Sequence, residues 1–161
     1  MSIIIFSRPI QTGKTTELMQ WFHQQQAVEG VLMPVLEGKR KMMDIASKQL
    51  FELECDDPEN ESRPVVRVGR YCFYEDVFNR FNEALLKKCS LQPRWLVIDE
   101  IGKLELEGKG FYPAVRKILD AYYLQHTATQ LLFVVRESLC DAVTEYFNIK
   151  EFTMIYTLET L

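Results

Sequence analysis

Ile3-Ile4-Ile5-Phe6-Ser7-Arg8-Pro9-Ile10-Gln11-Thr12-Gly13-Lys14-Thr15-Thr16 sets an apolar run ahead of a short polar stretch that leads into a helix-like segment. The order is strand, tight loop, helix. Its end, Gly13-Lys14-Thr15, matches the second half of the pattern G-x-x-x-x-G-K-[ST], in which backbone N–H groups wrap phosphates. A helix N-terminus carries unpaired N–H donors and partial positive charge, which suits a polyphosphate. Lys14 would reach the β and γ groups, and Thr15 would offer its hydroxyl to Mg²⁺. The candidate nucleotide-binding stretch is therefore Arg8, Pro9, Ile10, Gln11, Thr12, Gly13, Lys14, Thr15 and Thr16. Arg8 stands where the pattern has its first glycine. At positive φ an arginine there costs roughly 1–2 kcal/mol more than glycine, whereas at negative φ the loop is rebuilt around Pro9. Taken alone, a Gly-Lys-Thr tripeptide also occurs by chance ahead of surface helices.

A second stretch makes chance a poor explanation. Arg94-Trp95-Leu96-Val97-Ile98-Asp99-Glu100 has the pattern of a buried strand ending in two carboxylates. At the C-terminal end of a parallel strand, Asp99 can hold the metal shell while Glu100 orients or deprotonates the attacking water. Side chains of adjacent residues leave an extended strand on opposite faces, so a turn is needed to bring both acids to the phosphates.

Val97-Ile98-Asp99-Glu100-Ile101-Gly102-Lys103-Leu104-Glu105-Leu106 resembles the signature of the small P-loop nucleoside-triphosphatases called the THEP1 family. Weaker echoes are Gly38-Lys39-Arg40 before Asp44-Ile45-Ala46-Ser47, Val68-Gly69-Arg70-Tyr71-Cys72-Phe73, and Val134-Val135-Arg136. The resemblance implies Mg²⁺-dependent hydrolysis of ATP, GTP and other triphosphates to diphosphate and phosphate. Against the glycine-rich first loop usual there, this chain has Arg8 and Gln11.

The length of 161 residues suits one domain over 1–161, and 47% hydrophobic with 26% charged residues is a globular composition. A formal net charge of −4 supplies no basic field, which argues against nucleic acid or an anionic membrane as partner. Cys55, Cys72, Cys89 and Cys140 show no C-x-x-C spacing, no signal or spanning segment is evident, and a cytoplasmic location is expected. His23 and His126 lie near no cysteine in sequence and are expected on the surface.

Spacing predicts helices from Lys14 to about Gln26, from Glu75 to Lys88, from Pro113 onward, and from Ser138 with Asp141 as capping partner. Gly30 should end a connection before a strand from Val31 to Leu36 that bends at Pro34. A hairpin-like insertion is expected over 42–55, and a mobile acidic loop over 54–62. Residues 65–68 should form a strand, and residues 102–110 an irregular loop overhanging the site. Lys39, Arg40 and Lys41 form a basic cluster at a turn, expected to be a solvated tip rather than a phosphate contact, because charge runs usually face water. Leu131 to Val135 has the unbroken apolar character of a central parallel strand, with Arg136 at its ligand-facing end. The alternation predicts a three-layer α/β/α sandwich with the P-loop NTPase fold and a mostly parallel sheet.

In the leading reading, Lys14 and the loop amides bind phosphate oxygens, Thr15 and Asp99 hold Mg²⁺, Glu100 activates water and Arg136 offsets charge on the transferring group. A rival is a nucleotide-binding regulatory module with negligible turnover, whose acidic loop or overhang engages a protein partner. A nucleotide or small-molecule kinase is the third.

Overall fold

The computed structural model describes residues 2–9, 13–125 and 127–161. An eight-stranded sheet forms the middle layer. Its parallel part runs in the order β10 (Thr153–Ile155), β1 (Ile3–Arg8), β9 (Gln130–Arg136), β8 (Trp95–Ile101), β2 (Val28–Leu32). Beyond β2, the strands β3 (Val35–Leu36), β4 (Lys39–Asp44) and β5 (Leu50–Glu52) add antiparallel, with β4 hydrogen-bonded to β2. A separate hairpin, β6 (Val65–Val68) and β7 (Tyr71–Tyr74), precedes the second helix.

Alternation along the central strands sorts the core into two layers. Ile4, Phe6, Val97, Leu132 and Val134 face α1 (Lys14–Gln24) and its Leu18, Trp21 and Phe22. Ile3, Ile5, Leu96, Ile98, Leu131 and Phe133 face the opposite way, against α2 (Glu75–Ser90), α4 (Tyr112–Gln125) and α5 (Cys140–Tyr146). Helices therefore cover both faces, as a parallel sheet requires. Trp21 and Trp95 pack edge to face at 4.9 Å inside the α1 layer, so they are core residues. No helix among the described residues is long and apolar enough to cross a membrane.

Several local expectations are corrected. Gly30 does not end a connection but lies inside β2 at φ 133, where a Cβ would stand 2.0 Å from the Val97 carbonyl oxygen. Only glycine lets β2 approach β8 so closely. The strand expected over Val31 to Leu36 breaks at Met33-Pro34 into β2 and β3, because proline has no N–H to give the ladder. Glu37 (φ 52) and Gly38 (φ 77) then make a two-residue hairpin turn into β4. Part of the acidic run is anchored: Glu54 bridges Phe73 and Cys55 is buried. Residues 102–110 are not irregular throughout, since α3 (Lys103–Leu106) forms a helical turn there. The helix expected from Ser138 begins instead with a 3₁₀ turn at Glu137–Leu139, and α5 has no side-chain cap.

Candidate active site

Gly13 sits at φ 77 as the N-cap of α1, a left-handed conformation that glycine takes without steric cost. It turns the chain so that Lys14, Thr15 and Thr16 open the helix and line a cavity of about 430 Å³ at the C-terminal ends of β1, β8 and β9. Asp99, Glu100 and Arg136 line the same cavity. Of the expected nucleotide-binding stretch, Ile10, Gln11 and Thr12 lie outside the described residues, as does His126. Arg8 ends β1 and Pro9 follows it, and neither lines the cavity. Arg8 is the last residue of β1, extended and in register with Arg136, so it carries none of the strain of a left-handed position. Its guanidinium is paired with Glu17.

Asp99 is fully buried, and its Oδ2 accepts from the Thr15 hydroxyl at 3.0 Å and the Met33 N–H at 3.0 Å. Oδ1 has no partner among the described residues. Burial, with the charge of Glu100 second, pushes the Asp99 carboxyl up to about 6, against the pull of the Met33 and Thr15 hydrogen bonds and of Arg40. A buried carboxylate oxygen without a donor costs free energy that a cation would recover. Oxygen donors from Thr15 and Asp99 are the set that Mg²⁺ takes beside phosphates, so these residues fit the ion.

Adjacent side chains reach one cavity because β8 is bulged. Its register to β9 shifts between Ile98 and Ile101, and Glu100 has φ 61. Strict alternation would put Ile101 on the α1 face. It packs instead in the same layer as Leu96 and Ile98, so Glu100 is the extra residue of the strand. A left-handed glutamate costs on the order of 1–3 kcal/mol and persists only where surrounding structure imposes it. Here the following turn does so. The buried Glu105 carboxylate accepts from the Gly102 N–H through Oε2 at 2.8 Å and from the Phe111 N–H through Oε1 at 2.8 Å, closing residues 102–111 into a fixed loop. Burial pushes this carboxyl up to about 7, although both amides pull it down.

The Lys14 ammonium is engaged by the backbone rather than simply solvent-facing. Nζ donates to the Arg8 carbonyl at 3.3 Å and the Pro9 carbonyl at 3.0 Å. Partial burial lowers its pKa, with Glu100 and Asp99 acting in the opposite sense.

Arg40 was not legible as a site residue, because the run Lys39-Arg40-Lys41 looks uniform. Strand periodicity divides it. Lys39 pairs with Asp56 and Lys41 with Glu52, whereas Arg40, on the face of buried Met42, enters the cavity and pairs with Glu100. Alternation along β4 separates Arg40 from the two lysines, but it does not say which side chain turns inward, since Met43 on the lysines' face is buried as well as Met42.

A family model described as NTPase matches residues 3–160. The chain is 28% identical over 145 residues to a protein named nucleoside-triphosphatase THEP1 from Methanopyrus kandleri, covering 84% of this chain and 73% of that protein. The solution structure of a human cancer-related nucleoside triphosphatase superposes with a TM-score of 0.68 at 22% identity, over 97% of this chain and 88% of that one. The crystal structure of THEP1 from the hyperthermophile Aquifex aeolicus gives 0.66 at 18% identity, over 99% and 92%. These two likenesses show a shared fold.

Proposed function

The chain belongs to the NTPase family and is a nucleoside-triphosphatase, and from that premise we propose that it hydrolyses ATP, GTP and related triphosphates to diphosphate and phosphate with Mg²⁺ as cofactor. We further assign residues 1–161 to one catalytic unit acting in the cytoplasm. The observation that carries the reading is the buried Asp99, clasped by Thr15 at the head of α1 with one carboxylate oxygen that has no partner among the described residues. When bound, Mg²⁺ supplies charge neutralisation on the β and γ oxygens. Thr15 and Asp99 would hold it.

The chain's own groups do the rest. Lys14 leaves the carbonyls of Arg8 and Pro9 for the phosphates, joined by the amides that open α1. Glu100 accepts a proton from the attacking water, and Arg136, at the end of β9, offsets negative charge on the transferring group. A regulatory module with negligible turnover is the second reading. It draws support from the engagement of both chemical groups within the chain itself, Lys14 by the Arg8 and Pro9 carbonyls and Glu100 by Arg40.

Phosphate release measured over several triphosphates, with and without Mg²⁺, decides between them. Metal-dependent release that disappears in Lys14→Ala is expected, since the ammonium is the phosphate ligand of the loop. Nucleotide binding without release would favour the module, and transfer of label to an added nucleotide or small acceptor would favour a kinase. Wild-type release from Lys14→Ala would remove the site assignment.

A further inference from the structure

Arg40 is held in the cavity from three directions. Its backbone N–H donates to Glu54 Oε2 at 2.9 Å, its guanidinium carbon lies 5.6 Å from the centre of the Tyr71 ring, and Nη1 pairs with Glu100 Oε2. The side chain is 20% exposed and that of Glu100 is 32% exposed, so the pair is mostly withdrawn from water yet faces Lys14 and Thr15 across the same space. A cation bound to the candidate base is an unfavourable resting arrangement for hydrolysis. It occupies one of the two oxygens that could receive the proton of the water.

We propose that Arg40 is a catalytic residue that passes from Glu100 to the terminal phosphate when a triphosphate binds. The inference rests on the triphosphatase reading of this site. A guanidinium fork matches phosphate oxygens bidentately, and a terminal phosphate offers three oxygens and about two negative charges where Glu100 offers one charge. The triphosphate is therefore the stronger partner. One movement then does two things: it frees Glu100 Oε2 for the water, and it places a cation on the group being transferred. In the step that follows, the water oxygen forms a bond to the γ-phosphorus while Glu100 takes the proton. The bond from the γ-phosphorus to the bridging oxygen breaks, with its electron pair remaining on the diphosphate, and no group is oxidised or reduced. A diphosphate presents nothing at the γ position, so Arg40 stays with Glu100 and the product gains no contact from it.

The test compares wild type, Arg40→Gln, Arg40→Lys and Lys41→Gln. Lys41 pairs with Glu52 outside the cavity and serves as the neighbouring control. Phosphate release, melting temperature, and affinities for ADP and for the non-hydrolysable β,γ-imido analogue of ATP are measured on each. Arg40→Gln should lower kcat roughly 10²-fold or more, the scale of a lost arginine on a transferring phosphoryl group. It should weaken the imido analogue while leaving ADP affinity and melting temperature close to wild type. Arg40→Lys should recover part of the analogue affinity and little of kcat, and Lys41→Gln should match wild type. A kcat in Arg40→Gln at or above wild type would overturn the proposal, leaving Arg40 a restraint on Glu100. So would equal weakening of analogue and ADP together with a lowered melting temperature, which marks a structural role. If wild type releases no phosphate, the triphosphatase reading fails, and the ratio of analogue to ADP affinity still decides Arg40: an unchanged ratio in Arg40→Gln sinks the transfer.

Discussion

At one end of the cavity Gly13, Lys14 and Thr15 follow one another along the chain, while at the other Asp99, Glu100 and Arg40 come together from a bulged strand and an antiparallel insertion. The first end is local: a left-handed glycine, a helix N-terminus and two side chains that need only their own backbone to be aimed. The second depends on long-range order. The bulge must set Glu100 beside Asp99, Gly30 must let β2 lie close to β8, and β4 must turn one side chain of a basic run inward. Function at the local end should be lost by changing a phosphate ligand, whereas the assembled end is open to damage from residues that touch no substrate.

The largest effect expected at the assembled end comes from Glu100→Gln. It keeps size and hydrogen bonding but removes the proton acceptor, so hydrolysis should fall by roughly 10²–10⁴-fold. Nucleotide affinity should hold, and for the imido analogue it should rise, because Arg40 no longer has a carboxylate to leave. Calorimetry with steady-state phosphate release checks both. Undiminished turnover would make Glu100 a bystander. Glu105 would not replace it, since each of its oxygens already accepts a backbone N–H.

The same contrast governs what was legible in the sequence. The strand before and the helix after the phosphate-loop stretch, the apolar strand that carries Asp99-Glu100, and the layered alternation of strands and helices follow from short-range pattern and periodicity, and the fold agrees with them. The bulge was legible only as a need, because a left-handed glutamate has no residue signature of its own. Gly30 looked like punctuation because close backbone approach is a property of two strands, β2 and β8, distant in the chain. Arg40 was hidden by its lysine neighbours. Glu105, part of the quoted signature, works by accepting two amides across the 102–111 turn, a role that its spacing to Gly102 alone could have suggested.

Next in size is Gly30→Ala. The added Cβ would stand 2.0 Å from the Val97 carbonyl oxygen and 2.7 Å from the Val97 nitrogen, so β2 must move off β8 and take Met33, the amide donor to Asp99, with it. A loss of about 3 kcal/mol or more is expected. Chemical unfolding measures it, and a variant as stable as wild type would show that β2 accommodates the change freely.

Glu105→Gln should be milder, about 1–3 kcal/mol, because its NH₂ cannot accept from the second amide and leaves one N–H unmet. It also carries a signature in pH. Glu105 holds its proton up to about 7 in the fold against an ordinary value of 4.5. Folded protein thus binds more protons than unfolded chain between these values, and this group's contribution to stability is full below about 4.5 and is lost as pH rises through about 7. Melting curves of both proteins at pH 5 and 8 should show a larger loss in wild type than in the variant, which keeps only the share of the buried Asp99, itself raised to about 6. Parallel curves would assign the pH dependence to other groups.

The smallest effect tests the local end, at the position where this chain departs from the glycine of the phosphate-loop pattern. Arg8 is extended, paired in register with Arg136, and its guanidinium reaches Glu17. Glu17 in turn accepts from the Leu158 N–H at 2.7 Å and the Thr157 hydroxyl at 3.2 Å, so the pair links the end of β1 through α1 to the C-terminal segment. Arg8→Gly therefore relieves no left-handed strain. It removes a partly exposed ion pair worth roughly 0–1 kcal/mol and adds glycine flexibility to a strand end, worth roughly another 0.5–1 kcal/mol. The fold should weaken by about 1 kcal/mol, and nucleotide affinity should change, because glycine loosens the backbone whose carbonyl at position 8 holds the Lys14 ammonium. A melting comparison suffices, since stabilisation by about 1 kcal/mol is what a strained arginine would release, and that result would mean the loop keeps the glycine geometry with arginine forced into it.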